Sequence, residues 1–493
     1  MASVGTLGLP TRESKMKKWA LLAVFLCAWA ANAQPVMQYR LAYTTADAGV
    51  MQVRIGLPAP RPAPLALVMP RNYPGGYELV LYDSFVEDVR AFSDQDKPVA
   101  VKRAPDGPRW LLGATGEQVA RVEYSVDVVR MEKELLSAEE ASKVRPRYVG
   151  LLGYSVFAYI DGLEEAKIAL RVEGPPDWPV FSTIAPAIPA PLHTVSASAA
   201  NYYALADSEI LMGPDLQLRQ FDGTIALVMA VYSEGEEDLA MEGQLARTAL
   251  DRVQRYFGDV PFSTYTVQLE LLKPLPGHDY DFSQEHLTSG TFSLSTERAM
   301  TTRTTQQQRE MTLVNYAHHM AHSWIPKRAY GEGYIPFLWE MPPIIDTIWF
   351  NEGFGRYAAI AALADGMPAQ EARDFRQRQF DFLRSILDDA PGFIRLMPMV
   401  VLSREASFLY AKDFRIGMNT FARGALMAAE IDDRTRRQSQ DKKDLRDALR
   451  ALVLRTQKEQ RPFKIEELAP LFQQATGVDV AEILQRWLRP PGH

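Results

Sequence analysis

Three of the seven histidines in this 493-residue sequence lie within five consecutive positions. They are His318, His319 and His322. Positions four apart share one face of a helix, so His318 and His322 would present their imidazoles on the same side. Two imidazoles in this relation form half of a tetrahedral metal site. A histidine pair packed in a core or exposed on a surface is the commoner arrangement, so the pair alone does not establish a metal site.

A carboxylate thirty positions after His322 supplies a third candidate ligand. It is Glu352, in the segment TIWFNEGFG that occupies residues 347–355. Together with His318 and His322 it completes a His/His/Glu set, which leaves one coordination position for water. The alternative is a solvated or helix-capping acid. The coincidence of the two elements favours a metal centre, and this donor set favours a single Zn²⁺ ion over harder cations.

The elements that must position these residues follow from the hydrophobic pattern. Residues 37–185 contain short β-rich runs separated by Pro, Gly and Asp turns, which predicts an antiparallel β-sandwich-like domain over residues 34–185. One short helix is expected around residues 137–143. The predicted strands include residues 38–43, 77–82, 121–129 and 167–172.

The pattern changes after a Pro/Ala-rich stretch, and residues 186–200 are predicted to be a linker. Strands at 224–232 and 264–271 then flank a helical segment at 237–257. From about residue 303 the chain has helical periodicity, so the fold class is α+β with several domains. The predicted helices span residues 306–324, 348–363, 369–388, 418–432, 443–457, 465–476 and 479–488.

The N-terminal residues 1–33 have the parts of a secretory signal peptide. Lysines precede the apolar run 19–29, and Ala-Asn-Ala at 31–33 is a small-x-small cleavage pattern. Translation from Met16 would give this signal a conventional start. The apolar run is too short to span a bilayer, which disfavours an uncleaved anchor. We therefore expect a periplasmic or secreted protein with no membrane span after signal removal.

Composition and charge exclude several classes of partner. The sequence is 47% hydrophobic and 23% charged, with a net charge of −7, and nucleic-acid or anionic-membrane binding would require a basic patch that is not evident. The single cysteine, Cys27, lies in the predicted signal, so the mature chain would have neither disulfides nor thiolate ligands. Nothing in the sequence indicates an oligomeric state.

The two ligand elements resemble the zinc site of the glycyl aminopeptidase family of gluzincin metallopeptidases. That family has H-E-x-x-H followed by a Trp, and later a [WF]-x-x-E-G-F segment; here Trp324 follows the histidines and the later segment reads WFNEGFG. Residues 69–78, 207–213, 257–265 and 422–426 resemble further motifs of the family. The resemblance implies one zinc ion at the three ligands and a thermolysin-like catalytic-type domain over residues 201–488. The PDZ-like module that many members carry at the C-terminus is expected to be absent.

Three positions depart from the family pattern. His319 replaces the glutamate that takes a proton from the metal-bound water, and Phe421 replaces a tyrosine whose hydroxyl steadies the oxyanion. The family's G-G-L-E-H segment reads FSQEH, which retains Glu285 and His286 and loses both glycines. The resemblance implies that Glu285 and His286 face the substrate. Arg423 is expected near the substrate as well, with packing of its helix as the alternative.

These losses predict an inactive or strongly impaired peptidase that binds peptide-like ligands or small amides. A general base typically contributes roughly 10²–10⁴-fold to a rate, and one oxyanion donor on the order of 10²–10³-fold. The alternative is an active zinc aminopeptidase or related amidohydrolase, in which His319 is the base and Glu285 holds the amine. Glu332 or Glu340 would then assist. A third interpretation is a purely structural fold without metal. For His319 itself, the alternative is a solvent-facing residue with no role.

Overall fold

The chain is described by a computed structural model that covers Met1 and residues 36–135, 140–276, 279–410 and 412–489. The predicted signal peptide lies outside the described residues, apart from Met1. The strands are β1 (Val36–Ala42), β2 (Val50–Pro62), β3 (Leu65–Val68), β4 (Val86–Phe92), β5 (Pro98–Val99), β6 (Val101–Arg103), β7 (Arg109–Leu112), β8 (Gln118–Asp127), β9 (Lys143–Arg145), β10 (Tyr148–Leu152), β11 (Tyr159–Ile160), β12 (Lys167–Glu173), β13 (Val180–Ser182), β14 (Thr194–Ala199), β15 (Glu209–Met212), β16 (Gln217–Phe221), β17 (Ala226–Ser233), β18 (Thr264–Leu272), β19 (Asp281–Glu285) and β20 (Ser289–Ser295).

Helices dominate the second half of the chain. They are α1 (Val128–Glu134), α2 (Gly153–Val156), α3 (Tyr202–Ala206), α4 (Leu239–Phe257), α5 (Gln306–His322), α6 (Gly355–Ala364), α7 (Ala369–Asp388), α8 (Gly392–Arg395), α9 (Met399–Leu409), α10 (Phe414–Ser439), α11 (Leu445–Glu459), α12 (Ile465–Thr476) and α13 (Ala481–Leu488). A π-helix at Trp349–Phe354 leads directly into α6. No helix in the described part of the chain is both long and apolar enough to cross a membrane.

The N-terminal half is β-rich. Its largest sheet has seven strands in the order β14-β12-β1-β2-β8-β4-β5, with one parallel pair, β1 and β12. Two four-stranded antiparallel sheets, β11-β3-β7-β6 and β13-β15-β10-β9, lie beside it. Residues from all three sheets share one apolar core, which includes Leu41, Trp110 and Leu151. The inward-facing alternate residues of the strands build this core, as expected for sheets that pack face to face.

Three local predictions differ from the structure. Residues 194–199, predicted within a linker, form β14, which pairs with β12 at the edge of the large sheet. Of the helix predicted at 137–143, residues 137–139 lie outside the described residues, Glu140 is in 3-10 conformation, and Lys143 already begins β9. The α-helix described just before it is α1, capped by the Asp127 side chain, which accepts from Arg130 N. Residues 77–82, predicted as a strand, form an irregular loop that ends in a short turn of 3-10 helix.

A five-stranded mixed sheet opens the second half, in the order β16-β17-β18-β20-β19. The three central strands run parallel, while β16 and β19 are antiparallel at the two edges. Helices α4 and α5 share an apolar core with this sheet, and the C-terminal helices extend the same core. The chain therefore combines a β-rich N-terminal half with a helical C-terminal region, which agrees with the predicted α+β class.

Candidate metal centre

The three predicted ligands meet at one point between two helices. His318 and His322 lie on the last turn of α5, and Glu352 lies in the π-helix. The two histidine Nε2 atoms are 3.2 Å apart, and Glu352 Oε2 lies 3.6 Å from His318 Nε2 and 3.5 Å from His322 Nε2. A tetrahedral zinc ion with bonds of about 2.0–2.1 Å has ligand atoms about 3.4 Å apart. The donors therefore fit such an ion without rearrangement.

The polar atoms that face away from this point are mostly occupied. His322 donates from Nδ1 to the carbonyl oxygen of Ile325 at 2.8 Å, which leaves Nε2 as its metal-facing nitrogen. The Tyr77 hydroxyl donates to Glu352 Oε1 at 2.9 Å, which leaves Oε2. His318 Nδ1 is buried and has no partner among the described residues. Two of the three ligands are thus oriented by a second hydrogen bond.

Close packing of the π-helix against α10 fixes the position of Glu352. A Cβ atom on Gly424 of α10 would overlap the carbonyl oxygen of Trp349, and one on Gly353 would overlap the backbone of Gly424. Only glycine at both positions lets the π-helix and α10 touch backbone to backbone. The N-terminus of α5 is fixed independently by a capping box, in which Thr305 and Gln308 exchange hydrogen bonds.

The charges in this centre stabilise an ionised carboxylate. Burial opposes ionisation of Glu352, but the charge on His322 and the hydrogen bonds from both histidines outweigh it and lower the pKa of Glu352. Glu285, on the edge strand β19, behaves in the opposite way: burial is the largest effect and raises its pKa, although His322 and Lys327 oppose it. Glu285 Oε1 is buried without a partner among the described residues.

His319 is next to the ligands but does not join them. Its Nδ1 donates to the carbonyl oxygen of Asn315, one turn earlier on α5, at 3.0 Å, and its ring packs edge-on against Phe292 of β20. The donor atoms able to share one ion belong to His318, His322 and Glu352. Burial, followed by the charge on His322, lowers the pKa of His319 to about 4. The imidazole is therefore tied to its own helix.

Phe421 and Tyr410 are the aromatic groups beside the ligands. Phe421 lies edge-on to His318 with ring centroids 5.4 Å apart, and it has no hydroxyl to offer. Tyr410 follows α9 and packs 5.4 Å from the Tyr77 ring. Burial, then the charges of Glu352 and Glu285, raises the pKa of Tyr410. Its hydroxyl makes no hydrogen bond to any described residue, so a free phenol lies near the carboxylates.

The remaining predicted residues lie farther from the ligands. His286 is 1% exposed and bonds to Asp207 and Thr291, so it ties β19 to the chain that precedes β15. Arg423 donates to two backbone carbonyls, those of Arg395 and Met397. These hydrogen bonds favour a packing role, which is one of the two alternatives predicted for Arg423. Contact of either residue with a ligand stays a prediction.

Glu332 and Glu340, the acids expected to assist His319, are not among the residues at the metal centre. Glu340 accepts hydrogen bonds from Arg109 of the N-terminal half, at 2.8 Å from Nε. The Glu332 side chain is 59% exposed, and its nearest cation is Lys464 at 3.9 Å. Sequence reasoning missed two residues that do lie at the centre, Tyr77 and Tyr410. Tyr77 lies within residues 69–78, which resemble a family motif, whereas no local pattern marks Tyr410.

Comparison with known proteins gives a family match in the N-terminal part of the chain. Residues 38–214 match the family model of the Peptidase M61 N-terminal domain. No curated protein sequence matches the chain. The fold resembles a crystal structure of an aminopeptidase N family protein from Idiomarina loihiensis, with a TM-score of 0.78 and 18% identity over 93% of this chain and 76% of that one.

Two further structures share the fold more loosely. They are an M1 zinc metallopeptidase from Deinococcus radiodurans, with a TM-score of 0.51 and 15% identity over 93% of this chain and 95% of that one, and a mutant of it bound to a Tyr-Ser-Ala substrate, with the same TM-score and identity over 92% and 94%. At these identities the likeness shows the fold alone. The family match and the fold together support a gluzincin-type zinc peptidase, which confirms the resemblance that the sequence motifs indicated.

Proposed function

We propose that this gluzincin-type peptidase fold holds one Zn²⁺ ion at His318, His322 and Glu352 and binds peptide-like amines with little or no hydrolysis. The observation that carries the proposal is the contrast within one turn of α5. The three donors lie 3.2–3.6 Å apart, as a tetrahedral ion requires, whereas the position of the base holds a buried imidazole, His319, in place of a carboxylate.

The metal would keep the chemistry of a Lewis acid. Two imidazoles, one carboxylate and an open position are the donor set of catalytic zinc sites, and Zn²⁺ there polarises a carbonyl oxygen or a bound water. The protein must then supply a base to move the proton. His319 donates from Nδ1 to Asn315 O, so only its Nε2 is left to act as a base. Burial, followed by the charge on His322, lowers the pKa of His319 to about 4, well below the near-neutral pKa that suits a general base.

The groups that remain suit binding. Glu285 offers a buried carboxylate oxygen without a partner among the described residues, which a protonated amine could fill. The free hydroxyl of Tyr410 is able to donate to a carbonyl oxygen. A free α-amine next to an amide carbonyl presents these two functions together, and the Deinococcus relative was solved with a short peptide, Tyr-Ser-Ala. A peptide N-terminus or small aminoacyl amide is therefore the proposed ligand.

The location follows from the predicted signal at residues 1–33, which would deliver the mature protein to the periplasm or the exterior. Peptides with free amines are available in both places. The net charge of −7 gives no reason to add a nucleic-acid partner.

Reversion of the two departures tests the proposal. His319→Glu alone and together with Phe421→Tyr would be loaded with zinc and assayed on aminoacyl and short-peptide substrates. We expect negligible turnover by the wild type and a gain in the revertants of roughly 10²–10⁴-fold from the restored base. Wild-type turnover that equals or exceeds that of the double revertant would contradict the proposal and favour hydrolysis with His319 as the base.

A further inference from the structure

We infer that the N-terminal domain completes the metal centre, with Tyr77 as a positioning residue that holds Glu352 for the ion. The inference rests on the proposed metal site and adds a residue from the other half of the chain. Tyr77 and Glu352 are separated by 275 positions in sequence. Their contact crosses from the β-rich half to the helical half of the molecule.

The direction of this contact is fixed by a third side chain. Asn351 Nδ2 donates to the Tyr77 hydroxyl oxygen at 3.3 Å, and the hydroxyl lies 2.9 Å from Glu352 Oε1. Because the amide nitrogen is only a donor, the phenol accepts there and gives its own proton to the carboxylate. Asn351 and Glu352 are 0% and 6% exposed, so the hydrogen bonds do not compete with bulk water.

The Tyr77 ring is held by apolar packing. It lies in a cluster of buried residues that includes Ile348, Ile394 and Leu402, all from the helical half. The Tyr410 ring packs on it with the planes at 41°. A ring enclosed in this way keeps its hydroxyl at one position, as a residue that orients a metal ligand must.

The loop before Tyr77 is anchored at the same cleft. The Pro74 carbonyl oxygen accepts from Gln284 Nε2 at 2.6 Å and from Lys327 Nζ at 3.1 Å. Gly75 has φ +92° and lies so close to Glu285 that a Cβ atom would overlap its carboxylate. Residues 74–77 therefore contact both the proposed amine-binding carboxylate and the carboxylate ligand.

The consequence concerns how Glu352 binds. With Oε1 held by the phenol, Oε2 alone faces the two histidines, which favours a single bond to the ion. Tyr77 is the only donor to Oε1 among the described residues. Without the hydroxyl, Glu352 is free to rotate or to bind through both oxygens. Loss of such an outer partner typically weakens metal binding by about 10–100-fold.

Tyr77→Phe tests the inference, and Tyr73→Phe is its matched control. The Tyr73 hydroxyl is also buried and also donates to a carboxylate, Glu140 Oε1 at 3.0 Å, but its ring packs in the core of the N-terminal sheets. Zinc affinity would be measured by chelator competition on the full mature chain, and the visible spectrum of the Co²⁺-loaded protein would report the coordination. We expect Tyr77→Phe to weaken zinc binding by about 10–100-fold and to change the Co²⁺ spectrum, and Tyr73→Phe to do neither.

The outcomes separate this inference from the proposed function. A wild type that binds no zinc would overturn the metal site itself, and the inference with it. Zinc affinity and Co²⁺ spectra that agree between wild type and Tyr77→Phe would overturn only the role of Tyr77. If Tyr77→Phe does not fold, Asn351→Ala removes the donor that orients the phenol; a several-fold loss of zinc affinity supports the inference, and an unchanged affinity overturns it.

Discussion

Glu242, a buried carboxylate on α4, is predicted to make the stability of the protein depend on pH near neutrality. It accepts hydrogen bonds from the Tyr316 hydroxyl at 2.8 Å and from the Met300 amide at 3.1 Å, and it pairs with no cation among the described residues. Burial is the largest effect and raises its pKa from the ordinary value of 4.5 to about 7, although both hydrogen bonds oppose the rise. Tyr316 belongs to the helix that carries the histidine ligands.

The sign and size follow from linkage. Below pH 4.5 the carboxyl group is protonated in both the folded and the unfolded chain, so its full contribution to stability is present. As the pH rises towards 7, the unfolded chain releases the proton first, and the free energy of unfolding falls. Each pH unit between the two pKa values is worth about 1.4 kcal/mol, so the loss by pH 8 is about 3 kcal/mol.

Urea unfolding of the wild type and Glu242→Gln at about pH 5 and about pH 8 would measure this loss. We expect the wild type to lose about 2.5 kcal/mol more than the variant over this interval, because part of the loss has already occurred at pH 5 and the glutamine amide cannot ionise. Glu132→Gln is a suitable control. Burial opposes ionisation of Glu132, but Arg145 outweighs burial and lowers the pKa of Glu132. The difference in unfolding free energy between wild type and Glu132→Gln should therefore be the same at both pH values. Equal losses in wild type and Glu242→Gln would show that Glu242 does not cause the pH dependence.

Substitutions at three other positions separate packing from ligand contact. Gly424→Ala would push against the Trp349 carbonyl, lower the free energy of unfolding by about 1–3 kcal/mol and weaken zinc binding in a chelator titration; unchanged zinc affinity would contradict the packing argument. Arg423→Lys would lose its paired backbone contacts and about 1–3 kcal/mol of stability while peptide affinity, measured calorimetrically, stays the same; weaker peptide binding at full stability would place Arg423 at the ligand instead. Tyr410→Phe would leave stability within about 0.5 kcal/mol and weaken peptide binding by about 1 kcal/mol, and equal affinity would remove its hydroxyl from the site.

The parts of the fold with local signals were predictable. The helix expected at 369–388 coincides with α7, and the one expected at 465–476 with α12. A proline precedes the first, and Gly477 ends the second in a left-handed conformation at φ +77°. Helix α9 was missed because β-branched residues near its start do not show a helical preference.

The residues of the candidate site also differ in whether a local sequence pattern marked them. His318 and His322 were found because four positions on a helix are a local relation, and Glu352 because it lies in a recognisable segment. Tyr77 was not identified, since its partner Glu352 lies 275 positions away and the strand expected at 77–82 would have pointed alternate side chains to two faces. The loop instead takes its shape from hydrogen bonds with the other half of the molecule, among them Arg71 N to the Trp339 carbonyl at 2.7 Å.

Simultaneous measurement of bound zinc and peptide hydrolysis on the wild type and His319→Ala shows whether the zinc site lacks a working base. We expect one zinc ion per chain in both proteins and turnover of aminoacyl and short-peptide substrates that is no higher in the wild type than in the variant. Zinc-dependent turnover by the wild type that disappears in His319→Ala, at equal zinc content, would instead make His319 the working base of an active peptidase.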